Sequence, residues 1–279
     1  MVKEGLYAFW NWFDAESWYP LGRVIGGTIY PGLMTTSGVI YWTLHALSIP
    51  VEIRNVCVFL APVFAAFTAI AAYLMTKEIT KRSDAGLFSA LFMSIVPSYI
   101  SRSVAGSYDN EGVSIFALVF AFYVFLKAVN TGSMLWACFA SFAYFYMVAS
   151  WGGYAFIINI IPIFVVFLFI TNRIDTKTVV AYNVFYILGT LLALQIPFVG
   201  FQAIHSSEHM ASHGVFIFIN GFYFMNWVKK FIGKSGFQLL MKFFVLGLLS
   251  VLVIAFLYLT FTVTLISYFR VKLSGVEEV

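Results

Sequence analysis

Long apolar stretches constrain the fold of this chain more than any other feature of its sequence. A helix needs roughly 17–25 mostly apolar residues to span a bilayer. Eight stretches of suitable length occur, at about 54–76, 85–101, 112–129, 133–150, 155–171, 178–198, 209–228 and 243–268. Only 10% of the residues are charged, whereas soluble domains contain about 25%. The sequence therefore predicts an all-α fold, a polytopic bundle of transmembrane helices, with its transmembrane domain at 54–268.

The first 53 residues differ from the rest. Their one apolar stretch, 26–47, is interrupted by glycine and proline and favours a membrane-edge or re-entrant helix over a full span. Tryptophan and tyrosine are dense here, and such residues are typical of the membrane interface. We expect 1–53 to be a loop segment with interfacial helices.

Basic residues indicate the orientation. The connections after the first, third, fifth and seventh predicted spans contain ten lysines and arginines, whereas those after the second, fourth and sixth contain Arg102 alone. Basic residues in short loops favour the cytoplasmic side. Arg102 and its neighbours are therefore predicted on the non-cytoplasmic side. The net charge of +4 is scattered over short loops and does not indicate nucleic-acid binding.

A short polar loop, 101–111, separates two of the apolar stretches and carries Asp109 and Glu111. In an extended backbone, side chains two residues apart point to the same side, so these carboxylates could share a divalent cation such as Mg²⁺ or Mn²⁺. The alternative is capping, with Asp109 or Asn110 at the N-cap of the following helix. A complete metal site needs at least one further ligand.

Other polar residues allow two interpretations each. In one interpretation Arg102 orients a carboxylate or binds a phosphate. In the other it is an interfacial arginine whose head group reaches water. The residues alone favour the interfacial arginine. His209 and His213 have the spacing of metal ligands on one helix face, but polar interface residues are the favoured interpretation. The segment Trp151-Gly152-Gly153-Tyr154 either lines a groove or anchors the chain at the interface.

Several segments resemble a known family. Ser101 to Gly112, SRSVAGSYDNEG, is similar to the acidic motif in the second external loop of the catalytic subunit of eukaryotic oligosaccharyltransferase. Asn11 to Met34, Trp151 to Tyr154 and Ser206 to Met210 resemble further segments of that family in the same order. The resemblance extends from about residue 5 to about residue 250.

The resemblance implies a GT-C-type glycosyltransferase membrane domain in the endoplasmic reticulum, with 1–53 as a segment of its first lumenal loop. It implies transfer of an oligosaccharide from dolichyl diphosphate to asparagine of Asn-X-Ser/Thr in nascent polypeptides. Asp109 and Glu111 would be ligands of Mn²⁺ or Mg²⁺ in a lumenal loop, and Arg102 a charged catalytic residue. Other subunits of the complex and membrane lipids would be its partners. The resemblance leaves the substrate-binding residues unknown.

Some family features find no match. A first acidic motif, a glutamate of the fifth external loop and a Trp-Trp-Asp-Tyr-Gly motif are not found, and residues 269–279 diverge. These differences predict a chain truncated at both ends, without the soluble lumenal domain and inactive alone. The alternatives are a non-catalytic scaffold or pseudoenzyme of the same complex and, less favoured because polar residues are sparse within the spans, a transporter.

Overall fold

A computed structural model of the chain describes residues 1–274. The chain divides into two compact units, Met1–Ile217 and Phe218–Val279. In chain order, its elements are α1 (Gly5–Asn11), β1 (Phe13–Asp14), β2 (Arg23–Val24), α2 (Gly32–Ala46), α3 (Ile53–Thr80), α4 (Ser83–Ile95), α5 (Pro97–Ile100), α6 (Asn110–Thr131), α7 (Met134–Ser150), α8 (Tyr154–Ile170), α9 (Thr176–Ala193), α10 (Gln202–His205) and α11 (Ser207–Ser274). The backbone of α11 is interrupted at Gly233, which has φ 76° and ψ 170°.

The N-terminal segment combines helix and hairpin. The short strands β1 and β2 pair antiparallel, with Phe13 opposite Val24 and Asp14 opposite Arg23. The predicted helix at 26–47 is shorter than expected, because α2 begins only at Gly32, after Pro31. Proline fixes its own φ near the helical value and needs no hydrogen-bond acceptor at a helix start. The glycines and proline of this stretch therefore precede or open the helix.

The first unit is built around α6. This helix packs against α3 and α7, and α7 packs in turn against α9. Small residues lie in these contacts: Ala117, Ala121 and Ala128 of α6 and Ala137 and Ala140 of α7 are at most 1% exposed. Inside a bilayer, apolar side chains gain little by leaving lipid, so close backbone approach between small residues stabilises helix pairs.

Proline explains where two predicted spans end early. The predicted stretch 85–101 is interrupted, because α4 ends at Ile95 and Val96 is extended, with φ −66° and ψ 123°. The ring of Pro97 disfavours helical geometry at the preceding residue, and Pro97 then begins the short helix α5. The predicted stretch 178–198 similarly ends at Ala193, ahead of Pro197.

Within the described residues, three helices are long and apolar enough to span a bilayer: α3, α6 and α9. The helices α4, α7 and α8 are apolar but shorter. The predicted division into 1–53 and 54–268, with about eight spans, stays a prediction. The predicted divergent tail, 269–279, is helical as far as Ser274, and 275–279 lie outside the described residues.

The connections between the helices α3 to α10 gather at two ends of the first unit. At the carboxylate end, defined by the connections 101–109, 151–153 and 194–206, the Tyr108 and Ser37 hydroxyls are 2.7 Å apart. At the basic end, defined by the connections 81–82, 132–133 and 171–175, the Asn130 amide donates to Glu78 at 2.8 Å. The predicted placement of these two ends on opposite sides of a membrane stays a prediction.

Candidate carboxylate site

Arg102 lies between the two carboxylates of the polar loop. Its Nε is 2.9 Å from Oε2 of Glu111, and its Nη1 is 3.6 Å from Oδ2 of Asp109. The side chains of Arg102 and Asp109 are about half exposed, at 52% and 50%, while that of Glu111 is 29% exposed. The structure therefore brings together all three predicted site residues at the carboxylate end, open to solvent.

Asp109 occupies the N-cap position of α6 without capping it. Its backbone is extended, with φ −130° and ψ 151°, and its side chain makes no capping hydrogen bond. Glu111 lies in the first helical turn, where the helix dipole favours a negative charge. The predicted cap and the predicted ligand thus involve different atoms of Asp109. Its backbone stands at the N-cap position, while its carboxylate does not cap the helix and can bind other partners.

Two further contacts hold the loop in place. The Tyr108 hydroxyl lies 2.7 Å from the Ser37 hydroxyl of α2 and hydrogen-bonds to it, although the residue as a whole is 38% exposed. Burial raises the pKa of Tyr108 to about 12, so this hydroxyl keeps its proton at physiological pH. The backbone N–H of Gly106 donates to the carbonyl oxygen of Val58 in α3 at 2.9 Å. These contacts could not be predicted from the sequence, because the partner residues are distant along the chain.

The donor chemistry of the site fits a hard divalent cation. Mg²⁺ is commonly held in proteins by one or two carboxylates, with waters and substrate phosphates completing its coordination. Asp109 and Glu111 supply the two carboxylates. In the part of the chain that the structure describes, no group of three or more histidine, cysteine, aspartate or glutamate side chains could hold a metal. Any further ligand would therefore be of another kind or from elsewhere.

His209 and His213, which lie in α11, have hydrogen-bond partners within the protein. Nδ1 of His209 is 2.6 Å from the Ser206 hydroxyl, and its ring stacks on Tyr154 with centroids 5.7 Å apart. Nδ1 of His213 hydrogen-bonds to the Tyr186 hydroxyl. His209 is only 2% exposed, so its ring is enclosed by the protein and does not face solvent.

The segment Trp151 to Tyr154 forms a turn packed against the rest of the protein. A Cβ placed on Gly152 would lie 3.0 Å from the Tyr30 hydroxyl. Tyr30 in turn packs edge to face on Phe198, with ring centroids 4.6 Å apart. The turn therefore connects the N-terminal segment with the 194–206 connection at the carboxylate end.

Comparison with known families decides where the chain belongs. The family described as "Oligosaccharyl transferase STT3, N-terminal" matches residues 1–277. The chain is a member of the STT3 family. This confirms the resemblance that the acidic loop and the other segments indicated.

Curated STT3 relatives are similar over most of the chain. It is 58% identical over 229 residues to the Arabidopsis thaliana glycosyltransferase subunit STT3B, covering 82% of this chain and 31% of the relative. It is 50% identical over 250 residues to the Dictyostelium discoideum subunit STT3, covering 90% of this chain and 35% of the relative. The chain thus spans about a third of the length of the curated relatives it matches.

Solved structures share the fold. An Archaeoglobus fulgidus oligosaccharyltransferase in complex with Zn and sulfate gives a TM-score of 0.63 at 22% identity, over 85% of this chain and 33% of that one. The same organism's AglB, in complex with an inhibitory peptide and a dolichol-phosphate, gives 0.61 at 20% identity, over 85% and 31%. These similarities confirm the predicted fold class, an all-α polytopic membrane bundle of the GT-C type.

Proposed function

We propose that this STT3 chain is part of a catalytic subunit that transfers an oligosaccharide from dolichyl diphosphate to asparagine in Asn-X-Ser/Thr. The observation that carries the proposal is the convergence of Arg102, Asp109 and Glu111 on one half-exposed site. The names of the curated relatives, dolichyl-diphosphooligosaccharide–protein glycosyltransferase subunits, support the same reaction.

The carboxylates would act on the acceptor amide. An asparagine side-chain amide is a poor nucleophile, because its nitrogen lone pair is delocalised onto the carbonyl. A carboxylate of Asp109 or Glu111 can accept a hydrogen bond from this nitrogen and favour the form with a more localised lone pair. The nitrogen would then attack the sugar carbon opposite the diphosphate, with inversion. The bond from that carbon to the diphosphate oxygen would break, the diphosphate would leave with its electron pair, and a carboxylate would take up the proton lost from the nitrogen.

Arg102 would orient the two carboxylates. Its hydrogen bond to Glu111 and its ion pair with Asp109 hold both acids on one side of the loop. A divalent cation, Mn²⁺ or Mg²⁺, would supply positive charge that offsets charge developing on the diphosphate. Asp109 and Glu111 are the residues that would hold it.

The proposed setting is the endoplasmic reticulum membrane, with the carboxylate end in the lumen. The distribution of basic residues supports this orientation. Dolichol-phosphate and peptide bound to the archaeal AglB support a lipid-linked donor and a polypeptide acceptor. Other oligosaccharyltransferase subunits are further proposed partners.

A chimaera tests the function. The matched segment of this chain replaces the corresponding 250 residues of the Dictyostelium subunit, in cells depleted of their own subunit. Transfer to an acceptor peptide is then measured in isolated membranes. We expect activity in the chimaera and a loss of about 100-fold or more for Asp109→Asn or Glu111→Gln, the size of effect seen when a group that stabilises transition-state charge is removed.

The control variant is Asp175→Asn, which changes an N-cap aspartate at the basic end. It should transfer at the rate of the unaltered chimaera. If the two acidic-loop variants do so as well, the site is not catalytic, and the scaffold alternative explains the chain better.

A further inference from the structure

The helix α3 contains a proline at a position that frees one backbone acceptor. Pro62 lies inside α3 and has no N–H. In an α-helix the N–H of residue 62 would donate to the carbonyl of residue 58. The Val58 carbonyl therefore lacks its usual helical donor. A carbonyl shielded from water needs another donor, because leaving it unpaired is costly.

The polar loop supplies that donor. The Gly106 N–H is 2.9 Å from the Val58 oxygen, across 48 residues of sequence. We infer that Pro62 is a positioning residue of the carboxylate site, acting through this hydrogen bond from Gly106 to Val58. The effect of Pro62 on the carboxylate site rests on the proposed function, whereas the hydrogen bond from Gly106 to Val58 can be measured without any activity.

The bond is placed where it can orient the site. Gly106 lies midway between Arg102 and Asp109, and its φ of +90° is strained for any residue with a side chain. Ala61 lies about one helical turn beyond Val58 in α3, and a Cβ on Gly112 of α6 would lie 3.2 Å from its Cβ. The start of α6 therefore packs closely on the same stretch of α3. The loop is thus fixed to α3 both before and after Asp109.

Pro62→Ala tests the inference with little risk to folding. Alanine restores the N–H that competes for the Val58 carbonyl, and it is the residue most favourable to a helix interior. The matched control is Pro162→Ala, which changes the intrahelical proline of α8. Hydrogen–deuterium exchange of the 279-residue chain in detergent, with fragmentation that resolves Gly106, reports on the hydrogen bond directly.

We expect the Gly106 amide to exchange about tenfold faster in Pro62→Ala, as for the loss of a hydrogen bond worth about 1.4 kcal/mol, and to be unchanged in Pro162→Ala. Unchanged exchange in Pro62→Ala would mean that the loop does not depend on the proline, and the inference would be overturned.

Mn²⁺ binding separates positioning from stability. Titration of the chimaera with Mn²⁺ alone, followed by the electron paramagnetic resonance signal of the free ion, should show about three- to tenfold weaker binding in Pro62→Ala. Its thermal stability should be equal or higher. Faster exchange with unchanged Mn²⁺ affinity would refute a positioning role. If the chimaera with the unaltered segment binds no Mn²⁺, the metal assignment of the proposed function fails, and exchange alone decides whether Pro62 fixes the loop.

Discussion

Asp109 and Asp175 occupy the same position at the starts of two helices but have different partners. The Asp175 carboxylate accepts a hydrogen bond from the Thr176 N–H at 2.7 Å and so caps α9. The Asp109 carboxylate makes no such bond at α6 and faces Arg102 instead. A side chain that does not cap its own helix is free to bind something else. The two aspartates therefore form a matched pair for separating stability from binding.

Replacing each aspartate with alanine should give opposite results in two measurements. Asp175→Ala removes a capping hydrogen bond and should lower the free energy of unfolding by about 1 kcal/mol. Asp109→Ala loses only a long, half-exposed ion pair, which contributes little to stability. Thermal unfolding in detergent measures the first effect, and Mn²⁺ titration measures the loss of binding, expected in Asp109→Ala alone.

Equal loss of stability in the two variants would show that Asp109 acts as a cap. Unchanged Mn²⁺ affinity in Asp109→Ala would remove this residue from the proposed ligand set.

The acidic loop could be predicted from its residue types, but the contacts that hold it could not. Two acids and an arginine between apolar stretches predicted a candidate site, and the structure brings all three side chains together. Ser37, the partner of Tyr108, is 71 residues away. No local pattern marks Ser37 among the other hydroxyl residues of its helix, since its role depends on how α2 packs against the loop.

At the scale of elements, the contact between α2 and α7 depends on a glycine. A Cβ on Gly32 would lie 2.3 Å from Oγ of Ser150 and 2.8 Å from the carbonyl oxygen of Ala149. Both distances are far too short for a side chain, so the first residue of α2 fits the end of α7 only without one. This contact fixes the start of α2, and therefore also the helix that carries Ser37.

Gly32→Ala should destabilise the fold by about 1–3 kcal/mol, the usual cost of overpacking a tight contact. The control is Gly27→Ala, because a Cβ there meets nothing within 4 Å and the change should cost at most about 0.5 kcal/mol. Thermal unfolding of both variants in the same detergent measures the difference. Equal unfolding temperatures would show that α2 moves to accommodate the methyl group.

Apolar periodicity predicted the existence of the helices better than their ends. The stretch 112–129 corresponds closely to α6, and 133–150 to α7. The stretch 85–101 remains apolar across Val96 and Pro97, although the backbone leaves the helix there. Hydrophobicity does not reveal this end of the helix. The helix ends because the proline ring disfavours helical geometry at the preceding residue. Helix ends in such a chain are better predicted from proline and glycine than from polarity.

At the scale of the whole first unit, charge separates the two ends of the bundle. The connections that follow α3 to α9 carry Lys81, Arg82 and Arg173 at the basic end, with Lys77, Lys127 and Lys177 in the adjoining helical turns, and Arg102 at the carboxylate end. At the basic end, Nζ of Lys127 lies 4.0 Å from the centre of the Trp136 ring. The Lys177 side chain lies against Gly132, where an added Cβ would be 2.8 Å from it. These basic residues therefore belong to one surface, as the positive-inside rule requires.

Cysteine labelling in sealed microsomes tests the orientation that the proposed function needs. In a chain with Cys57 and Cys138 replaced by serine, Ala105→Cys and Thr131→Cys place single exposed thiols at the carboxylate and basic ends. A membrane-impermeant maleimide should label Thr131→Cys in intact microsomes and Ala105→Cys only after detergent is added. The two thiols lie at opposite ends of the bundle, and both positions are exposed. A difference in labelling between them therefore shows which thiol the membrane shields from the maleimide. Labelling of Ala105→Cys without detergent would place Asp109 and Glu111 on the cytoplasmic side, away from a lumenal acceptor, and the proposed reaction would then have to be abandoned for this chain.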